Sequence, residues 1–232
     1  MRVVFVHGAC VRDGAWWWKP TGDLLARVGV PSTATLLPSC GETGAAVGAT
    51  GPGLADDAAA LRDELAAGGG DDVVVVAHSY GGIVAAEAVG RLAPVAHLLL
   101  VSSYLPLPGQ SLSSFGDPEP APFLDVDAAS GTFGVHADQL LDTFLQDCPD
   151  AAPEAASRLA RQSTAVLGHP VSGAGWQEVA TTYLVCTEDR GTPAAAQRRF
   201  AERADRVVEV AAGHHPFISR PQAVADLVLD LL

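Results

Sequence analysis

The sequence predicts an α/β fold in which a mostly parallel sheet carries helices on both faces. Three observations lead there: six apolar runs of strand length, their near-continuous hydrophobicity, and helical patterns between them. A strand buried on both sides needs no polar alternation, so it reads as an unbroken apolar stretch; the valines of 73–76 are the plainest case. With 232 residues, 48% of them hydrophobic and 18% charged, the chain can bury enough apolar surface to offset its ordering entropy, and one domain spanning 1–232 is expected.

In chain order the expected strands are Val3 to Val6, Ser32 to Leu36, Val73 to Ala77, Ala96 to Val101, Thr182 to Cys186 and Val207 to Val210. Ala-rich stretches with periodic Leu or Val mark helices at Trp16 to Val28, Leu54 to Ala67, Gly81 to Leu92, Ala194 to Arg203 and Pro221 to Leu231. Leu37 to Gly53 reads as a Pro- and Gly-rich loop, and Gly68 to Gly70 as a helix-to-strand turn. The stretch from about Tyr104 to Gly175 is too long for a structureless loop. It is expected to form a small helical cap over the end of the sheet, with helical patterns near Ala137 to Leu145 and Pro153 to Val166.

Charge narrows the possible partners. The net charge of −13 comes from 27 acidic against 14 basic side chains, which repels phosphate backbones and anionic lipid heads. Nucleic-acid and membrane-surface roles are therefore disfavoured, and a small-molecule substrate is expected. No apolar run approaches the roughly 18 to 20 residues of a membrane helix. The chain opens on a strand-like segment without a secretory pattern, so an intracellular, cytoplasmic location is the expectation. Cys10, Cys40, Cys148 and Cys186 are widely scattered and make no C-x-x-C, as free thiols would be.

The strongest chemical signal is Ala77-His78-Ser79-Tyr80-Gly81-Gly82, between the third apolar run and a helical pattern. A serine at such a strand-to-helix turn sits on strained backbone with its hydroxyl above the carboxyl end of the sheet, and small residues two positions to either side let helix and strand pass closely. Ser79 is the candidate nucleophile. Its glycine-framed form is G-x-S-x-G; here Ala77 replaces the first glycine.

Serine needs a base, and the base needs an orienting acid. Cys186-Thr187-Glu188-Asp189-Arg190 follows the fifth expected strand and Gly213-His214-His215-Pro216-Phe217 follows the sixth, on the sheet edge where Ser79 emerges. Glu188 and Asp189 both satisfy the acid's position, as His214 and His215 do the base's. Adjacent histidines also suggest a metal, but no third ligand stands at a workable spacing, and no metal or other cofactor is expected. Two backbone N–H groups suit a developing oxyanion: that of Tyr80, and that of Ala9 in the turn Val6-His7-Gly8-Ala9-Cys10 after the first strand. Trp16, Trp17 and Trp18 cannot all face one way on a helix, so some cover the core and Trp17 is the candidate for the pocket. Cys10, Tyr104 and Leu105 are the other candidate pocket residues.

These motifs together resemble the α/β-hydrolase superfamily, and within it the small cofactor-free group of plant methylesterases, hydroxynitrile lyases and related bacterial esterases. The resemblance runs through VHGAC, GAWWW, AHSYGG, YLVCTEDRGTP and GHHPFISRP, nearly the whole chain. It implies Ser79 as nucleophile, Asp189 as acid, His214 as base, Ala9 and Tyr80 as oxyanion donors, and a mostly apolar pocket under a helical cap. It also implies a carboxylesterase-like hydrolase acting on a small, largely apolar ester, lactone or thioester. Val11-Arg12-Asp13 departs from the family pattern as extra residues before GAW. Hydroxynitrile lyases of the group carry threonine where Gly8 stands and lysine where His215 stands, so hydrolysis is favoured over lyase or condensing chemistry. A complete triad argues against a ligand-binding module without catalysis.

Overall fold

The computed structural model describes residues 1–68, 72–90, 95–116 and 119–232. Its strands are β1 (Arg2–Val6), β2 (Ser32–Ala34), β3 (Val73–His78), β4 (Val95–Val101), β5 (Leu124–Asp127), β6 (Thr132–Val135), β7 (Gln162–Ser163), β8 (Ala180–Cys186) and β9 (Arg206–Val210). Its α-helices are α1 (Gly14–Arg27), α2 (Leu54–Ala67), α3 (Gly81–Ala88), α4 (Leu140–Phe144), α5 (Ala152–Ala156), α6 (Ala165–Gly168), α7 (Ala194–Ala201), α8 (Pro216–Ser219) and α9 (Pro221–Leu229).

Six strands pair in the order β2-β1-β3-β4-β8-β9, every pair parallel. The period-2 pleat divides them between two cores. Val4, Val6, Val75, Ala77, Leu98, Leu100, Tyr183 and Val185 face α2, α3 and α7, whereas Val3, Phe5, Val74, Val76, Leu99, Val101, Leu184 and Cys186 face α1, α8 and α9. Both faces are covered, which is why the strand sequences show no polar alternation. The three tryptophans separate as helical geometry requires: Trp18 stacks between Phe5 and Phe217, at 4.5 and 3.9 Å between ring centroids, while Trp16 meets the guanidinium of Arg158 at 4.3 Å. Trp17 turns towards the sheet's carboxyl end.

All six expected strands form, although β2 stops at Ala34. The expected turn at Gly68 to Gly70 lies partly outside the described residues, as does the expected end of the third helix at Leu92. Between β4 and β8 the chain crosses the carboxyl end of the sheet and combines the short helices α4 to α6 with a three-stranded antiparallel sheet, β5-β6-β7. That sheet is additional to the helices the sequence suggested. The expected helix at Pro153 to Val166 is broken, with α5 first, then β7, then α6. Among the described residues no helix is long and apolar enough to cross a membrane.

Candidate active site

Ser79 stands between the end of β3 and the start of α3 with φ at +51°, the strained left-handed backbone expected for such a turn. The turn closes only because α3 starts with glycine: a Cβ on Gly81 would lie 2.6 Å from the Val6 carbonyl oxygen and 2.8 Å from that of His7. The Ser79 hydroxyl opens onto a cavity of about 770 Å³ that His214 also lines. It makes no hydrogen bond among the described residues; such contacts commonly tighten only when substrate binds.

Burial and bonding separate the members of the two adjacent pairs. Asp189 is buried and its Oδ2 lies 2.8 Å from His214 Nδ1, whereas Glu188 is exposed. The Nδ1 of His215 donates instead to the Phe144 carbonyl at 3.0 Å, and its ring packs on Trp17. Asp189 is held on every side. Gly191 and Thr192 N–H groups donate to Oδ1 at 2.8 and 2.9 Å, while Gln197 Nε2, at 3.0 Å, and the Ser102 hydroxyl donate to Oδ2. Burial works against the Asp189 charge, but the His214 imidazole and these hydrogen bonds outweigh it and hold the carboxyl below its usual range. With Nδ1 on the carboxylate, the Nε2 of His214 remains for the cavity. Burial and the neighbouring His214 push the pKa of His215 down to about 3, so its ring is neutral.

Neither the Ala9 nor the Tyr80 N–H donates a hydrogen bond among the described residues, and both residues line the cavity beside Ser79. The next N–H, of Cys10, is already taken by Gln162 Oε1 at 3.0 Å. The rest of the lining is chiefly apolar, including Val11, Phe115, Phe133, Leu140 and Phe144, and the described lining residues include no lysine or arginine. Of the expected pocket residues, Cys10, Trp17 and Tyr104 reach the cavity. Leu105 does not: it is fully buried in the core and lies outside the lining. Tyr104 faces the cavity and Leu105 the core, so the two neighbouring side chains diverge.

Residue reasoning missed Ser102, Gln197, Gln162 and the packing of His78 against His214, 4.4 Å between ring centroids. Ser102 had a readable signal, since it directly follows β4 on the same sheet edge as Ser79. Gln197 and Gln162 had none, because a buried glutamine on a helix or short strand looks in sequence like a solvated one.

A family model described as "Alpha/beta hydrolase family" matches residues 3–227. Methylesterase 9 of Arabidopsis thaliana is 29% identical over 255 residues, covering 98% of this chain and 96% of its own. Among solved structures, a pyrethroid hydrolase from Sphingobium faniae JZ-2 superposes with a TM-score of 0.84 at 22% identity, covering 99% of this chain and 96% of its own. Polyneuridine aldehyde esterase does so at 0.80 and 22%, covering 99% and 98%.

Proposed function

The chain belongs to the alpha/beta hydrolase family, and from that premise we propose that it is a serine carboxylesterase cleaving a small, largely apolar ester, lactone or thioester through an acyl-enzyme on Ser79. The observation that carries this reading is the His214–Asp189 hydrogen bond of 2.8 Å at a cavity that also receives Ser79 and two open N–H groups. In the proposed cycle the Ser79 hydroxyl attacks the carbonyl carbon while His214 Nε2 takes its proton. Ala9 and Tyr80 N–H groups receive the oxyanion, and His214 returns the proton to the leaving alcohol or thiol. Water then repeats the sequence and releases the acid. Asp189, ionised throughout, keeps Nδ1 protonated and stabilises the imidazolium.

The apolar lining supports a neutral, hydrophobic substrate, since a carboxylate on the acyl or alcohol part would lose its hydration without meeting a cation among the described lining residues. The similarity to Methylesterase 9 supports ester hydrolysis. Cyanide-releasing lyase chemistry is disfavoured because position 215 supplies a neutral imidazole where the lyases of the group carry a lysine.

The test is turnover of p-nitrophenyl esters of increasing acyl length by the parent and by Ser79→Ala. The parent should hydrolyse them with kcat/KM rising along the series until the cavity is filled, by at most about 0.8 kcal/mol per methylene. Ser79→Ala should lose roughly 10⁴-fold or more in kcat. Parent-like hydrolysis by Ser79→Ala would exclude the acyl-enzyme.

A further inference from the structure

Three buried side chains outside the Ser79–His214–Asp189 group join the two candidate donor loops by an unbroken line of hydrogen bonds. The Cys10 N–H donates to Gln162 Oε1 at 3.0 Å, and Gln162 Nε2 donates to Ser39 Oγ at 2.9 Å. The Ser39 hydroxyl then donates to Asp57 Oδ2 at 2.6 Å, and the Tyr80 hydroxyl donates to the same oxygen at 2.7 Å. The Ser39 N–H adds a bond of 2.9 Å to Asp57 Oδ1. Gln162, Ser39, Asp57 and Tyr80 are each 0% exposed.

Each link has one donor and one acceptor, and the donors of both arms point towards the Asp57 carboxylate, on which the line converges. The Gln162 carbonyl must face Cys10 and its amino group must face Ser39, because the Ser39 proton is already committed to Asp57. Such a chain fixes the members it joins, and breaking one link leaves buried polar atoms unpaired on both sides. Apolar side chains of the same volume would fill this space at lower electrostatic cost, so stability alone does not account for a carboxylate there.

The line runs from the Cys10 N–H through Gln162, on β7 in the cap, and ends at the first residue after Ser79. The extra residues Val11-Arg12-Asp13 reinforce its cap end. Val11 bridges Leu159, the Arg12 N–H donates to the Arg158 carbonyl at 2.9 Å, and the Ala160 N–H donates to the Cys10 carbonyl at 2.9 Å. Arg158 Nε in turn meets Asp13 Oδ2 at 2.9 Å. The insertion is thus the surface by which the Ala9–Cys10 turn docks onto segment 158–162.

We propose that Gln162, Ser39 and Asp57 are positioning residues for oxyanion stabilisation, bracing the Ala9 turn against Tyr80 so that the two N–H groups keep a fixed separation and direction. The inference rests on Ser79 being the nucleophile. Oxyanion donors act by being aligned before the charge develops, and a brace between their two loops supplies that alignment. Tetrahedral species should feel it, and bound substrate should not.

The experiment compares parent, Tyr80→Phe and Gln162→Met, one variant at each end of the line. For each, kcat and KM for p-nitrophenyl butyrate, inhibition by phenylboronic acid and the thermal midpoint are measured. The boronate becomes tetrahedral on a nucleophilic serine and places an oxygen where the oxyanion forms. Each variant should lose on the order of tenfold in kcat and a matching factor in boronate affinity, with KM changed by less than about twofold. Unchanged kcat and boronate affinity in a folded variant would overturn the proposal. So would a rise in KM together with a lowered midpoint and intact boronate affinity, which is the signature of a merely structural role. Should Tyr80→Phe not fold, Gln162→Met carries the test. A parent without ester turnover or boronate inhibition would instead fail the nucleophile reading, and this proposal with it.

Discussion

Four non-glycine residues among those described hold a positive φ, namely Cys10, Asp13, Ser79 and Ser102; all four lie in the connections that follow β1, β3 and β4, and Cys10 and Ser79 line the cavity. Left-handed backbone costs an L-residue roughly 1 to 2 kcal/mol, so strain is concentrated at one place and must be held by the surrounding packing and hydrogen bonds. One such restraint is the ion pair under the Ala9 turn. His7 Nε2 lies 2.7 Å from Glu42 Oε2 and its Nδ1 lies 2.8 Å from the Gly8 carbonyl, so both ring nitrogens face acceptors. Glu42 also accepts the N–H groups of Leu37 and Asp13, each at 2.7 Å. Burial opposes the His7 charge, but Glu42 outweighs it and holds the imidazole pKa above its usual value, while the same pairing holds Glu42 below its own.

A raised histidine contributes stability that is complete below the unfolded value of about 6.5 and is lost as pH rises through the folded value. The parent's thermal midpoint should therefore fall over the pH range above about 6.5. Glu42→Gln should lose about 3 kcal/mol at the acid end of that range and show little of the slope, so that the gap between the two curves narrows towards alkali without closing, because the carboxamide keeps one of the two acceptor oxygens. A constant gap between the curves would separate the pair from the titration.

At the scale of the elements, the close passage of α3 over β1 sets the site's geometry. A Cβ on Gly81 would strike the carbonyls of Val6, the last residue of β1, and of His7, the next one, and neither carbonyl can retreat without moving the Ala9 turn. Gly81→Ala should cost about 2 kcal/mol, which lowers the thermal midpoint by roughly 4 to 8 °C. It should lower kcat as well, because it pushes the Tyr80 N–H away from Ala9. A variant with the parent's midpoint and kcat would remove this contact from the account.

These elements were largely legible because both faces of the sheet are covered: Val73–Val76 or Leu98–Val101 admits few readings besides a buried strand. Ser79, Asp189 and His214, the residues of the proposed triad, were singled out for a related reason, since each follows a strand of the parallel sheet, although β9, ahead of His214, is largely exposed. The cap was not. Leu124–Asp127 and Thr132–Val135 are short, and their alternation is weak. Gly131, at φ +67°, ends the turn between them and was the one cue to a hairpin. Gln162 sits in a strand of two residues, too short to show any period. Leu105 was misplaced because which of two neighbouring side chains faces a cavity depends on the path of the chain leaving β4.

For the whole molecule, the parallel sheet brings together residues far apart in sequence, since every strand delivers its following loop to the same edge. The cap closes that edge with apolar side chains and, through Gln162, reaches the hydrogen bonds beneath the cavity. The site is thus built from β1, β3, β4, β8, β9 and the cap, and its chemistry depends on their mutual placement more than on any one segment. The measurement closest to the central claim is covalent labelling by a fluorophosphonate, read by intact mass and peptide mapping on parent, Ser79→Ala and His214→Ala. The parent should gain a single adduct on Ser79, Ser79→Ala none, and His214→Ala should label slower by on the order of 10³-fold. An unlabelled parent, an adduct mapped to another residue, or undiminished labelling of Ser79→Ala would contradict the account.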